Sequence, residues 1–268
     1  MSKHYETFAA LHAGPKLLIL PNAWDAGSAR VIESAGASAI ATSSAAVAWA
    51  HGFADGEHIP FDLVLAAVRE IAATVSIPVS ADIEAAYAAD AETAARTVGQ
   101  VIDAGAVGIN IEDGNEPPDL LARKIENLKA AAAKQGVKIW VNARIDTYLR
   151  RLVAAELAYD ETLRRAALYR AAGTDSIFVP GFPDNHRIAE LVKAVILPLN
   201  LLAWPGLPDA TTLQSAGVRR LSAGSGIGKA VHNETLRLAK DFLAAGRSEP
   251  LVQGPLTNAD LNGMMRKR

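Results

Sequence analysis

The stretch AETAARTVGQVIDAGAVGINIE, residues 91–112, decides the fold. From Ala91 to Ala104 its apolar residues recur at helical spacing with charged residues opposite, so this segment predicts a helix lying on a core. Gly105 then ends it in the left-handed conformation that glycine adopts without strain, and Val107 to Glu112 follows as a short apolar strand. The same joint recurs at Ala35-Gly36-Ala37, Ala172-Gly173-Thr174 and Ala216-Gly217-Val218, each time just before an apolar run. Working outward, strands are expected near Leu17–Leu20, Ser38–Thr42, Ile77–Asp82, Val107–Glu112, Lys138–Ala143, Ser176–Val179, Asn200–Ala203 and Arg219–Ser222. Leu120–Lys134 and Asp160–Ala172 repeat the helical pattern between them. Strands buried on both faces, each followed by a covering helix and with no linker between them, predict a single α/β domain, a closed (β/α)8 TIM barrel over residues 1–268. A helix over Gly228–Ala245 and a tail over 246–268 exceed what a barrel needs, and either fold back on their own chain or pack on a neighbouring subunit.

Composition narrows the function classes. The 268 residues are 50% hydrophobic and 21% charged, with 27 basic against 29 acidic side chains for a net charge of −2. A near-neutral chain of this kind has no electrostatic footprint for nucleic acid. There is no cysteine, which removes thiolate metal sites and thiol nucleophiles or acids. The apolar runs are far shorter than the ~20 residues of a membrane span. Residues 1–13 lack the basic start and apolar core of a secretion signal, so a cytoplasmic protein is expected.

Chemistry in such a barrel gathers at the carboxyl ends of its strands. The third strand ends in Ser80-Ala81-Asp82-Ile83-Glu84, the fourth in Asn110-Ile111-Glu112-Asp113 and the fifth in Asn142-Ala143-Arg144-Ile145-Asp146. Alternation along a strand puts Asp82 and Glu84 on one side, with Glu112 sharing a side on the next strand. Acids gathered in this way need a cation among them, and an all-oxygen set without cysteine suits Mg²⁺ or Mn²⁺. The plainer alternative is that they cap helices or pair with lysine and arginine. Arg144 has the planar fork that grips a substrate carboxylate, or alternatively a salt bridge to Asp146 or Glu112. Small residues at Ser43, Ser44 and Ala45 leave backbone N–H groups free to meet an anion. A loop over Trp49–Pro60 carries His51, Asp55, Glu57 and His58, and Ser222 opens a glycine-rich turn after the last strand.

These blocks, together with Leu20-Pro21-Asn22-Ala23-Trp24-Asp25 and Phe178-Val179-Pro180-Gly181, resemble the isocitrate lyase/phosphoenolpyruvate mutase superfamily over residues 16 to about 240. The likeness extends to its carboxyphosphonoenolpyruvate phosphonomutase-like members. The resemblance implies a barrel that oligomerises, as a dimer or tetramer, by exchanging its last helix. It also implies a Mg²⁺-dependent lyase for small 2-oxo or 2-hydroxy carboxylic acids, acting through a metal-stabilised enolate. Carried over by position, Asp82, Glu84 and Glu112 would be metal-site acids and Asp55 the catalytic acid of the loop. Glu112 and Arg144 would also act in catalysis, Arg144 binding the substrate carboxylate. Ser43, Ser44 and Ala45 would cradle the oxyanion, with Ser222 a further substrate contact.

The departures bear on substrate. Where the lyases carry Lys-Lys-Cys-Gly-His, this chain has no thiol, and where phosphonate-handling members read Glu-Asp-Lys it reads Glu112-Asp113-Gly114. The usual Gly-Tyr-Gly is Ala86-Tyr87-Ala88, and Glu84 stands where Asp is more common. Decarboxylation, hydrolysis or retro-aldol cleavage of a small 2-oxo acid is the expected reaction. The alternatives are a phosphonate mutase or hydrolase and a non-catalytic carboxylate-binding relative. A Schiff-base aldolase lacks its lysine, because Lys138 and Lys16 lie at the wrong strand ends.

Overall fold

A computed structural model describes residues 2–266 of the chain. Among them, nine parallel strand segments form one sheet: β1 (Leu18–Leu20), β2 (Asn22–Ala23), β3 (Ile40–Thr42), β4 (Val79–Asp82), β5 (Gly108–Glu112), β6 (Trp140–Arg144), β7 (Ser176–Phe178), β8 (Leu199–Leu202) and β9 (Arg220–Ser222). β1 pairs with β9 and β2 with β3, so the sheet closes where Pro21, lacking an N–H for the ladder, splits the first barrel strand in two. The result is the expected (β/α)8 barrel, with all eight expected strands in place to within two or three residues.

The helices are α1 (Ser2–Ala13), α2 (Ala26–Ser34), α3 (Ser44–Ala50), α4 (Phe61–Thr74), α5 (Ala91–Asp103), α6 (Pro118–Lys134), α7 (Ala158–Ala171), α8 (Ile188–Val195), α9 (Ala210–Ser215), α10 (Gly226–Ala245) and α11 (Asn258–Met265). The four repeated joints behave as their sequence predicts: Gly36, Gly105, Gly173 and Gly217 all have φ between +94° and +108°. Strand residues facing outward, such as Ile109, Ile111, Val141 and Leu199, pack with Val98, Ile125 and Leu191 of the helices into the main apolar layer. Asp25, in the Asn-Ala-Trp-Asp block, caps α2 by accepting from Ser28 N at 2.6 Å, which makes that acid architectural.

One element and one boundary depart from the sequence reading. α1 plugs the amino end of the bore: Phe8 and His12 are buried there, with His12 stacked on Trp140 at 4.5 Å. Gly108 is required by this plug, since a Cβ there would stand 2.7 Å from the Phe8 ring. The loop expected to start at Trp49 starts later, because α3 runs on to Ala50 under a cap from Ser43.

At the other end of the chain, α11 lies against α2 of the same chain, with Ser34 Oγ 3.6 Å from Met264 Sδ. The helix expected to exchange is thus seated on its own barrel in this single chain, while Val231, Leu236, Phe242 and Leu243 of α10 stand exposed. Lys267 and Arg268, the last residues of the expected tail, lie outside the described residues. No described helix is long and apolar enough to cross a membrane.

Candidate active site

The floor of the site is a polar bore. Ala39, Ala41 and Gly108 are small, and the space is crossed by Arg220 from β9, which is fully buried and donates through Nη2 to Asn110 Oδ1 at 3.1 Å and through Nε to Ser222 Oγ at 3.0 Å. Ser222 passes the chain on to Asn200 Oδ1 at 2.7 Å, Asn142 Nδ2 donates to Asn110 Oδ1 at 2.8 Å, and Ser176 Oγ donates to Asn142 Oδ1 at 2.7 Å. Ser222, expected as a substrate contact, therefore has its hydroxyl committed to this network. Burial pushes Arg220 down to about 9, with the negative charge of Asp82 opposing.

Above the floor the strand register sets the acids. Asp82 stands level with Asn110, and Glu112 level with Arg144. Asp82 Oδ2 accepts from the Ser44 N–H at 3.0 Å, so that N–H, expected to be free for a substrate anion, is taken by a protein carboxylate. Glu84 reaches sideways: both its oxygens accept from Glu57 N at 3.0 Å, and Tyr87 Oη donates to it at 3.3 Å. Glu112 is the acid that arginine holds, with Arg144 Nη1 at 2.6 Å and Arg150 Nη2 at 3.2 Å. Arg144 also donates through Nε to Asp146 Oδ1 at 2.7 Å. Both ion pairs foreseen as the plain alternative for Arg144 are thus present.

The acids remain mutually unfavourable. Burial raises Asp82 against the pull of Arg144, and the nearby charge of Asp55 adds to the rise. Glu84 is pushed up to about 7 by burial, then by Asp82, Asp55 and Glu57. Glu112 is raised by burial and by Asp146 and Asp82, against Arg144 and Arg150. Asp82 and Glu84 make no ion pair with lysine or arginine among the described residues. Among the same residues no three carboxylate or histidine side chains close on a common point, so the acids stand near one another without forming a finished cage. Their chemistry fits a hard divalent cation: buried oxygen donors, with the charge of Asp82 raising both Glu84 and Glu112.

Two neighbouring features escaped the sequence reading. Glu57, in the loop after α3, accepts through Oε1 from Ala85 N at 3.0 Å and Tyr87 N at 2.8 Å, while buried Lys124 donates to Ala85 O at 2.7 Å. This clamp holds Glu84, Ala86 and Tyr87 at positive φ (51°, 73° and 50°), which side-chain-bearing residues tolerate only when the surroundings enforce it. It explains how the loop keeps its path without the usual glycines. Asp113, beside Glu112 in sequence, faces away toward α7 and accepts from Tyr169 Oη at 2.6 Å, Arg165 Nη1 at 2.8 Å and Asp146 N at 3.0 Å. Asp55, His51 and His58 are exposed on the loop, and Ser43 and Ala45 are buried at the start of α3.

The raised carboxyls predict a pH effect. A folded Glu84 that titrates near 7 instead of 4.5 binds more protons than the unfolded chain across that window, so its contribution to stability is lost as pH rises through it. Buried His12, held down to about 3, acts in the opposite sense below its usual value. The informative comparison is therefore wild type with Glu84→Gln. Thermal unfolding without metal is expected to show wild type losing stability relative to the variant between pH 5 and pH 8, and Mg²⁺ to raise Tm more at pH 8 than at pH 5. Parallel curves would contradict the charge account.

Comparison with known proteins shows the family. A family model described as phosphoenolpyruvate phosphomutase matches residues 8–243. An uncharacterized protein of Mycobacterium tuberculosis is 36% identical over 223 residues, 82% of each chain. A solved structure from Burkholderia cenocepacia J2315, provisionally named a phosphonomutase, is 36% identical with a TM-score of 0.84, covering 89% of this chain and 99% of that one. An oxaloacetate decarboxylase of Marinomonas sp. is 27% identical over 191 residues, 69% of this chain and 64% of its own length. With its (β/α)8 barrel and a family match over residues 8–243, the chain belongs to the phosphoenolpyruvate phosphomutase family.

Proposed function

We propose that this protein is a Mg²⁺-dependent lyase that decarboxylates a small 2-oxo acid of the oxaloacetate type. The observation that carries the reading is the pair Asp82 and Glu84, two raised carboxylates that make no ion pair with lysine or arginine among the described residues, at the mouth beside an arginine pair. Asp82, Glu84 and Glu112 would hold the ion, with Mn²⁺ a chemical substitute. When bound, such an ion draws charge from the substrate's 2-oxo oxygen as the neighbouring bond breaks. Arg144, on exchanging its contact with Glu112, would orient the first carboxylate, and the first turn of α3 at Ala45 would supply an N–H donor to developing negative charge, the Ser44 N–H being taken by Asp82. The loop Gly114–Asp119 carries no thiol and no lysine, which favours a leaving group that departs without being protonated. Carbon dioxide meets that condition.

The test is pyruvate release from oxaloacetate by purified protein with Mg²⁺, against Mg²⁺ alone, with phosphonopyruvate and methylisocitrate in parallel. The expected result is turnover of oxaloacetate that a chelator abolishes. Turnover of phosphonopyruvate instead would transfer the reading to carbon-phosphorus cleavage. Silence with retained oxalate binding by calorimetry would make the protein a carboxylate-binding relative.

Assembly of copies through the exposed apolar face of α10 belongs to the same proposal. Sedimentation is expected to show a dimer or tetramer, and a monomer at all concentrations would reject it.

A further inference from the structure

Arg150 stands out among the cations of the mouth. It sits in the turn after β6 with 37% of its side chain exposed, against 16% for Arg144. Arg144 is the more tightly held of the two, with Nη1 on Glu112 and Nε and Nη2 on Asp146. Arg150 is held more loosely: Nε donates to Asp146 Oδ2 at 3.0 Å, Nη2 reaches Glu112 Oε1 at 3.2 Å, and Nη1 makes no hydrogen bond among the described residues. The residue below it is Gly114, at φ +54°, where a Cβ would lie 3.8 Å from the Arg150 guanidinium carbon. A Cβ at 114 would only touch the guanidinium at ordinary van der Waals distance, so it is the positive φ at the end of β5 that favours glycine there. One arginine is thus fixed and buried, and a second, tethered by Asp146, keeps donors turned to solvent at the same acid.

We propose that Arg150 is a specificity residue that takes the second, distal carboxylate of a dianionic substrate, so that the site prefers small 2-oxo dicarboxylates over 2-oxo monocarboxylates. The inference rests on the lyase reading above and adds to it the residue that selects the second carboxylate. Asp146 anchors Nε and sets the direction of the fork, and the long contact to Glu112 is the one exchanged for the incoming carboxylate. A guanidinium holds a carboxylate by two parallel charge-assisted bonds, a geometry that lysine matches only in charge and methionine not at all.

The test is calorimetric binding, in Mg²⁺, of an unreactive oxaloacetate analogue, 3,3-difluorooxaloacetate, and of pyruvate, to wild type, Arg150→Met and Arg150→Lys. Wild type is expected to prefer the dicarboxylate. Arg150→Met should reduce that preference roughly ten- to a hundredfold, the range for losing a hydrogen bond to a charged group, and Arg150→Lys should restore part of it. A purely structural role for Arg150 would weaken both ligands alike, and that result would overturn the inference. So would a wild type that binds pyruvate with no preference for the dicarboxylate, which leaves the lyase reading standing. A wild type that binds neither would overturn both.

Discussion

Asp82→Asn is expected to lower turnover by about 10²–10³-fold or more and to weaken Mg²⁺ binding by over ~100-fold, while the barrel stays folded. The side chain stands where three influences meet. Its Oδ2 takes the Ser44 N–H, its charge contributes to the rise of Glu84 and Glu112, and it draws on both Arg144 and Arg220. Asparagine keeps the volume and an acceptor for Ser44, so the fold has little reason to change. What it removes is negative charge at the point where a divalent ion would be held. Titration of Mg²⁺ by calorimetry and oxaloacetate turnover are the two readouts. Unchanged Mg²⁺ affinity would show that the ion belongs elsewhere, and unchanged turnover would sink the assignment of the site.

The largest effect on stability is expected from Asp113→Ala. Its carboxylate is 1% exposed and takes three donors, from Arg165, Tyr169 and the backbone of Asp146. Burial raises it, and those donors pull the other way. Its removal leaves a buried guanidinium and a buried phenol facing a hole, a loss on the order of 3–5 kcal/mol for breaking a buried pair from one side. In a chain of this size that is a fall in Tm of about 10 °C. The companion variant Asp113→Asn keeps an acceptor and should lose less. If Asp113→Ala unfolds at the wild-type temperature, the Arg165 pair contributes nothing net. Because Asp113 also holds the backbone of Asp146, which positions both Arg144 and Arg150, the alanine variant should bind carboxylates more weakly even where it is folded.

The two aspartates show how far sequence reasoning reaches. Asp82 and Glu112 were legible because strand periodicity fixes side and level, and the carboxyl ends of barrel strands face one mouth. Asp113 sits one residue from Glu112 and is equally acidic in the sequence, yet the same alternation turns it outward to α7. Arg144 was legible as a cation at the mouth, but whether it binds substrate or protein acids depends on Asp146, two residues on, whose carboxylate curls back to meet it. Glu57 was visible only as one polar residue of a long loop, since a glutamate there looks solvated until the β4 loop folds against it. Arg220 reads as one of two arginines at the start of a strand. Its place in the bore follows only when the ring closes and Asn110 arrives from 110 residues away.

By itself the sequence determined the barrel, its strand count, the left-handed joints and the acidic mouth, because these follow from local periodicity and from backbone conformations that particular residues favour. The tertiary structure alone decided which charges meet: Glu57 with the Glu84 loop, Arg150 with Glu112, Arg220 across the floor, and α1 as the plug. Those pairings join residues far apart in the chain, and electrostatic energy depends on distance and burial in space, neither of which is written in the order of the residues.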